Sequence, residues 1–219
     1  MKSRHITIVF AVVALPLIIA VTNQAQAQNI DAQRLLAPED GEWIMDGRTY
    51  DAHRYSPLAM IDEDNIERLG IAWYHELETM RGVEATPLMF DGVLYNISAW
   101  NVTTAHDAVT GEVLWEYDPE VPRQWGRYAC CEPVARGLAA WRDSIIIATL
   151  DGRIVSLDAA SGEPLWTRDI AEDSGARVPD WGFASSPLIV DGRVIVHAPG
   201  AGAGREVDVG ELAAEHETP

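Results

Sequence analysis

Lysine is almost absent from this chain. The sequence has 16 basic and 34 acidic residues, and Lys2, close to the N-terminus, is its only lysine. The body of the chain therefore has no lysine amine for a Schiff base or for a phosphate-binding loop. The formal net charge of −18 also argues against a nucleic-acid partner, because neutralising phosphates requires clustered lysine and arginine.

Cysteine is equally scarce, since Cys130 and Cys131 are the only two and are neighbours. No cysteine stands directly after the N-terminal apolar run, so a lipoprotein anchor is excluded. The sequence also has no Cys-x-x-Cys-His haem attachment motif. The histidines of the body of the chain show no metal-ligand spacing; they are His53, His75, His106, His197 and His216. The sequence thus offers neither a haem site nor a histidine metal site.

The N-terminus has the pattern of a secretory signal. Lys2 and Arg4 precede an apolar run over residues 6–21, and the small-x-small sequence Ala-Gln-Ala follows at 25–27. This order predicts a signal peptide over 1–27 that is cleaved on export, to the periplasm in a bacterium. An uncleaved anchor is the alternative, but the run is short for a membrane span, so we expect no stable membrane anchor.

The chain repeats itself. Residues 105–115 (AHDAVTGEVLW) recur at 156–166 (SLDAASGEPLW), an offset of 51 residues. A second element at 86–95 (TPLMFDGVLY) is echoed at 186–195 (SPLIVDGRVI), and residues 137–147 form a degenerate copy between them. Asp-Gly between apolar runs predicts a hairpin, because glycine accepts the positive φ of a tight turn.

A unit of roughly 50 residues with four short strands and a terminal tryptophan is typical of a β-propeller blade. The period alone leaves kelch-like and WD-like propellers open. The sequence predicts an all-β fold, a partial propeller of about two and a half blades, in which Trp115 and Trp166 pack between sheets. Since a closed ring needs about four to eight blades, we expect an unpaired sheet edge.

Four segments follow from these patterns. They are a signal peptide at 1–27, a lead-in at 28–75, the partial propeller at 76–202 and an acidic tail at 203–219 without strand alternation. Within the lead-in, the apolar spacing of Ile61, Ile66 and Leu69 predicts one or two turns of helix.

The lead-in, the Trp-ended repeat and residues 81–87 (RGVEATP) resemble the N-terminal part of the PQQ-dependent (quinoprotein) alcohol dehydrogenases. Residues 125–137 (WGRYACCEPVARG) do so too, and their adjacent cysteines are the most specific feature. The resemblance implies a portion of an eight-bladed periplasmic propeller with pyrroloquinoline quinone (PQQ) and calcium or a lanthanide. It also implies oxidation of a small primary alcohol by hydride transfer to PQQ, and a separate electron acceptor such as a c-type cytochrome.

The same resemblance implies five cofactor-binding residues. Cys130 and Cys131 would form a disulfide ring that lies flat against PQQ, although free thiols or pairing between chains remain alternatives. Glu84 would hydrogen-bond the quinone, and Val134 would lie beside its pocket. Arg136 would contact the cofactor near its reactive carbonyl, where a fixed cation stabilises developing negative charge.

The chain also departs from the family pattern. Ala135 stands in place of the usual asparagine, Ala184 in place of a threonine, and Gly202 in place of a metal-binding glutamate. The catalytic aspartate of the family would lie beyond residue 219. We therefore expect a truncated or frame-shifted product without turnover on its own.

Two other interpretations stay open at this stage. The first is an exported propeller that binds or scaffolds partners without redox chemistry, since Trp-ended repeats also occur in outer-membrane assembly factors. The adjacent cysteines argue against it, because a scaffold has no use for a strained ring. The second is one piece of a split enzyme whose partner supplies the remaining blades.

Overall fold

The computed structural model describes residues 29–127, 129, 132–175, 182–183, 185–197 and 205–208. The predicted signal peptide, both cysteines, Ala184 and Gly202 lie outside these residues. Within the described part of the chain, no helix has the length and apolar character needed to cross a membrane.

Three antiparallel sheets follow one another along the chain, each in simple up-and-down order. The first contains β1 (Leu88–Phe90), β2 (Val93–Ile97), β3 (Thr103–Asp107) and β4 (Val113–Tyr117). The second contains β5 (Ala139–Trp141), β6 (Ser144–Ala148), β7 (Arg153–Asp158) and β8 (Pro164–Asp169). The third contains β9 (Leu188–Val190), β10 (Arg193–Val196) and β11 (Arg205–Asp208). Two short α-helices, α1 (Ala32–Leu36) and α2 (Ile170–Ser174), flank them, and short 3₁₀ turns lie at Ile66–Arg68, Ala99–Asn101 and Arg123–Arg127.

Burial distinguishes the middle sheet from its neighbours. Ile145, Ile146 and Ile147 of β6 are all fully buried, so both faces of this sheet are covered. In β10, by contrast, buried and exposed residues alternate. A sheet covered on both faces by sheets from the same chain is the arrangement of consecutive propeller blades, and the predicted partial propeller is confirmed.

The predicted turns form as the local sequence dictates. The Asp107 carboxylate accepts hydrogen bonds from the Thr110 backbone N–H at 2.7 Å and hydroxyl at 2.9 Å, and the next residue, Gly111, has φ +76°. These bonds, led by that of the Thr110 N–H, hold the pKa of Asp107 below its usual value. Asp158 makes the corresponding bonds in the second sheet, where Gly162 also has φ +76°.

Trp115 of the first sheet rests on a turn of the second sheet. The Trp115 indole Nε1–H donates to the Ala159 carbonyl at 2.9 Å, and its ring covers Gly162, where a Cβ would lie 2.7 Å from it. The predicted packing role of Trp115 is thus confirmed. Trp73 of the lead-in does the same on the first sheet, donating to the Ala108 carbonyl at 3.1 Å. Its position in the repeat was not predicted from the sequence.

The lead-in contacts all three sheets. Its contacts are a backbone bridge between Ile30 and Arg142, another between Trp43 and Met89, and a 2.6 Å hydrogen bond from the Tyr50 hydroxyl to the Ile189 carbonyl. Arg34 in α1 adds an ion pair with Asp91 at 2.7 Å and another with Glu42. These two carboxylates, Glu42 foremost, raise the pKa of Arg34 above its usual value, so the guanidinium stays charged.

One local prediction is confirmed in part and one is wrong. The one or two helical turns expected within residues 61–69 are a single 3₁₀ turn at Ile66–Arg68, because the Asn65 side chain bonds the backbone of Asp62 and Met60 and competes with helical bonding. Residues 203–219 were expected to contain no strand, yet β11 pairs with β10 over four residues. The strand forms because the open edge of β10 offers backbone hydrogen-bond partners. The side-chain pattern of residues 203–219 gives no sign of this pairing.

Replacement of Gly162 by alanine tests the indole–glycine contact, with Gly92 as matched control. Both glycines have positive φ, +76° and +77°, but a Cβ at Gly92 meets nothing within 4 Å. We expect Gly162→Ala to lower the free energy of unfolding by about 1–3 kcal/mol more than Gly92→Ala, because it must displace Trp115. Urea unfolding of both variants measures the difference, and equal losses would contradict the packing role.

Candidate functional site

The residues that precede the inner strands converge at one end of the sheets. Thr86, just before β1, forms a parallel bridge with Gly137, just before β5. A Cβ at Gly137 would in turn lie 2.8 Å from the hydroxyl of Ser186, just before β9. The three inner strands therefore start side by side, and the topology brings Glu84 and Arg136 together.

Glu84 and Arg136 form an ion pair at this end. The Arg136 Nη2 lies 3.8 Å from the Glu84 Oε2, and the two side chains are 64% and 44% exposed. A pair so long and so exposed contributes little to stability, about 0–1 kcal/mol. Its members present a cation and a carboxylate side by side to solvent, which is a suitable arrangement for a ligand with both donors and acceptors.

A second ion pair ties the same two segments together. The Arg81 Nη1 lies 3.3 Å from the Glu132 Oε2, and both side chains are also largely exposed. Glu132 has φ +92°, a backbone conformation that non-glycine residues rarely adopt. The segments 81–84 and 132–136 therefore lie side by side, with one ion pair at each end. Sequence patterns did not single out Arg81 or Glu132.

Val134 and Ala135 anchor the second of these segments. Both are buried, with 5% and 3% exposure, whereas their neighbour Arg136 points to solvent. A Cβ at Gly82 would lie 3.9 Å from the Val134 side chain, so Val134 packs beneath the facing segment. The burial of these apolar side chains holds the Arg136 backbone in place.

Trp100 contacts both sides of the segment that carries the two cysteines. Its backbone N–H donates to the Pro133 carbonyl at 2.8 Å, after the cysteines. Before them, its ring lies 4.5 Å from the Arg123 guanidinium carbon, and a Cβ at Gly126 would lie 2.5 Å from that ring. Trp100 has φ +64°, which indicates that surrounding contacts impose its conformation.

Asn101 links the first sheet to the second. Its buried amide donates to the Ala148 carbonyl at 3.2 Å and accepts from the Leu150 N–H at 2.9 Å. The Leu150 carbonyl in turn accepts from the Phe183 N–H at 3.1 Å. The roles of Trp100 and Asn101 were not predicted from the sequence. The available signal was a polar residue directly after an aromatic one, in the turn between β2 and β3.

A cavity of about 280 Å³ lies between the lead-in and the inner strands β5 and β9. Its lining includes Ile44, Asp46 and Tyr50 but not Glu84 or Arg136. Asp46 accepts a 2.7 Å hydrogen bond from the Thr86 hydroxyl. Among the described residues, no group of three or more His, Cys, Asp or Glu side chains could hold a metal ion.

Comparison with known protein families agrees with this architecture. The family model for the PQQ glucose/ethanol/alcohol dehydrogenase β-propeller domain matches residues 43–208. The chain belongs to this family. The match includes β11, so it extends past the predicted boundary at residue 202, while the segment boundaries themselves stay predictions.

Individual relatives are much longer than this chain. It is 39% identical over 208 residues to quinohemoprotein alcohol dehydrogenase ADH IIB of Pseudomonas putida, covering 91% of the chain and 30% of the relative. It is 42% identical over 161 residues to 1-butanol dehydrogenase (cytochrome c) of Thauera butanivorans, covering 74% and 23%. The solved structure of a europium-containing methanol dehydrogenase matches with a TM-score of 0.71 and 34% identity, covering 81% and 32%. The chain thus spans about a third or less of these proteins.

Replacement of Gly126 by alanine tests the support that Trp100 gives to the cysteine segment. The new Cβ would lie 2.5 Å from the Trp100 ring, whereas a Cβ at Gly41 meets nothing within 4 Å. Because overpacking typically costs about 1–3 kcal/mol, we expect Gly126→Ala to lower the Tm by several degrees. Circular dichroism melting gives the Tm, with Gly41→Ala as control. A Tm equal to that of the control would show that Trp100 is not in firm contact there.

Proposed function

We propose that the end of the sheets at Glu84 and Arg136 binds PQQ, and that the chain is the N-terminal part of a PQQ-dependent alcohol dehydrogenase. The observation that carries this proposal is the ion pair between Glu84 and Arg136, which are 52 residues apart in the sequence and lie 3.8 Å apart at one end of the inner strands. Family membership supports it independently.

The residues present fit this cofactor chemically. PQQ is a planar ring system with carboxylates and carbonyl oxygens, so it needs fixed cations and donors around its rim. Arg136 and Arg81 supply two guanidinium groups, which suit carboxylate and carbonyl oxygens. Glu84 supplies an acceptor for a ring N–H. All three side chains are at least 40% exposed, so a ligand can reach them.

Cys130 and Cys131 complete the proposed site. In an oxidising compartment we expect them to form a disulfide, whose stiff ring would lie against a flat face of the cofactor. Trp100 fixes the chain on both sides of them, through Gly126 before and Pro133 after. A supporting indole of this kind would keep the ring from shifting when a planar ligand binds.

The chain's own contribution to catalysis would be electrostatic. Bound PQQ supplies a quinone carbonyl that accepts hydride from a primary alcohol. Arg136 would hold the cofactor and stabilise negative charge on its oxygen. Val134 and Ala135 would keep Arg136 oriented through their burial.

The remaining machinery lies outside the described residues. A calcium or lanthanide ion would act as Lewis acid, as the similarity to a europium-containing methanol dehydrogenase suggests, but its ligands are not among those residues. Gly202 occupies the place where the family resemblance implies a glutamate ligand. The chain alone would therefore bind cofactor without turning over substrate.

Compartment and partners follow from the same proposal. The signal peptide predicted at 1–27 would export the chain to the periplasm. The substrate would be a small primary alcohol, and the electrons would pass to a separate c-type cytochrome. The relative named 1-butanol dehydrogenase (cytochrome c) supports both the alcohol and the acceptor.

Arg136→Ala should weaken PQQ binding to the purified full chain roughly tenfold, the usual loss for one charge-assisted hydrogen bond at an accessible site. Isothermal titration calorimetry with PQQ measures the Kd. Arg142→Ala is the matched control, because this arginine lies at the other end of β5 and should leave the Kd unchanged. Equal affinities for wild type and both variants would remove Arg136 from the site, and no binding to wild type would refute the site itself.

The full chain supplied with PQQ and calcium should show no dye-linked oxidation of primary alcohols above a control without protein. The physical reason is that Gly202 stands where the family resemblance implies a glutamate ligand, and that no cluster of metal-binding side chains lies among the described residues. Phenazine-coupled dye reduction, with one of the longer relatives as positive control, measures the rate. A rate that depends on both protein and alcohol would contradict the proposed inactivity.

A further inference from the structure

One face of the first sheet is polar where the equivalent face of the second sheet is aliphatic. In the second sheet, this face is lined by paired residues of β6 and β7 that are all fully buried, namely Ile145, Ile147, Val155 and Leu157. The equivalent residues of β2 and β3 pair in the same register and are Leu94, Asn96, Thr104 and His106. Polar side chains thus stand where packing between sheets normally uses apolar ones.

His106 is a titratable side chain at a core position. It is only 2% exposed, and it follows a register shift in β3 just as its equivalent Leu157 does in β7. Its Nδ1 lies 3.4 Å from the Gly111 carbonyl oxygen, and its Nε2 lies 3.0 Å from the Thr104 hydroxyl. Because a carbonyl only accepts, the neutral ring donates from Nδ1 and accepts from the hydroxyl at Nε2. Both ring nitrogens are therefore paired without a positive charge.

The lead-in covers this histidine with two aromatic rings. The Trp73 ring is stacked on His106, with 5.9 Å between the ring centroids and 19° between the planes. The His75 ring meets His106 edge-on, with the centroids 4.7 Å apart. The Trp73 indole also donates to the Ala108 carbonyl and covers Gly111, where a Cβ would lie 2.5 Å from it. His106 therefore lies at the contact between the lead-in and the first sheet.

Protonation of His106 conflicts with this packing. Burial is the main cause that lowers the pKa of His106; the bond to the Gly111 carbonyl acts in the opposite direction, and the nearby His75 lowers the pKa further. On β2, the residue paired with His106 is the apolar Leu94. The carboxylates on the other elements around it are Glu76, Glu78, Glu116, Asp107 and Glu112. Among the described residues, none of these carboxylates hydrogen-bonds the His106 ring, so an imidazolium there would have no counter-ion in contact.

We propose that His106 makes the docking of residues 71–77, here called the strap, on the first sheet dependent on pH, with the strap held near neutral pH and released in acid. Above the ordinary histidine pKa of about 6.5, the ring is neutral whether or not the strap is docked, so the contact keeps its full strength. Below that pH, undocking gives the ring to water, and the undocked state takes up a proton that the docked state resists. One such group weakens docking at most about tenfold between pH 7.5 and 5.5.

Release of the strap would reach the candidate functional site. A cavity of about 340 Å³ lies beside the strap, and its lining includes His75, Thr104, Trp100 and Arg123. Trp100 is the residue that contacts both sides of the cysteine segment. An undocked strap would therefore remove one wall of the cavity next to Trp100. The switch itself does not depend on cofactor binding, because its contacts lie between the strap and the first sheet.

The molecule contains its own control for this switch. Trp73 and Trp115 make the same indole contact with a turn, but Leu157 takes the place of His106 in the second contact. Hydrogen exchange of the two indole N–H groups, followed in ¹H–¹⁵N spectra of the full chain at pH 7.5 and 5.5, measures their protection. The ratio of the two cancels the intrinsic effect of pH on exchange. We expect the protection of Trp73 relative to Trp115 to fall roughly three- to tenfold at pH 5.5, and an unchanged ratio would overturn the proposal.

Two variants assign the effect to His106. His106→Leu copies the second sheet and should abolish the fall, whereas His53→Gln, at an exposed histidine of the same lead-in, should leave it intact. A fall that survives His106→Leu, or that disappears in His53→Gln, would overturn the proposal. If His106→Leu does not fold, the ¹H–¹³C signal of the His106 ring in wild type decides the question. We expect it to titrate below pH 6.5, and a pKa at or above about 6.5, as stacking of a cation on Trp73 would produce, would overturn the proposal.

Discussion

The contact between an indole and a glycine of the following sheet holds this molecule together. Trp115 fills the space above Gly162 that any side chain would occupy, and its N–H bonds the carbonyl of Ala159. The positive φ of that glycine and the buried hydrogen bond both belong to the same turn. The first sheet is thereby fixed against the second by one large apolar surface and one directional bond, which together specify distance and angle.

Because the sheets are fixed in this way, the starts of their inner strands lie side by side. Glu84 and Arg136 precede equivalent strands of different sheets, so the repeat itself brings them together. The irregular segments between the strands then contribute contacts that have no counterpart in the repeat. Trp100 holds the cysteine segment, and Asn101 bonds the backbone of the second sheet. A regular scaffold thus positions a site made of irregular loops.

The sequence predicted the features that depend on short-range chemistry. The Asp-Gly hairpins and the turns at Asp107 and Asp158 form through bonds within a few residues, so their pattern is visible along the chain. Trp73 escaped prediction because no strand precedes it among the residues that the structure describes, so no repeat pattern surrounds it. Trp100 acts across more than 20 residues, which no local pattern records. Glu84 and Arg136 came from family resemblance, and their proximity required the parallel alignment of β1 and β5.

The indole N–H of Trp115 offers the most direct measurement of the central claim. Its hydrogen–deuterium exchange can be followed in ¹H–¹⁵N spectra, with the signal assigned through Trp115→Phe. If the indole locks one sheet onto the next, this proton should exchange only through global unfolding, with a protection free energy equal to that from urea unfolding. Exchange that is much faster than global unfolding would show that the sheets separate locally and would contradict the account.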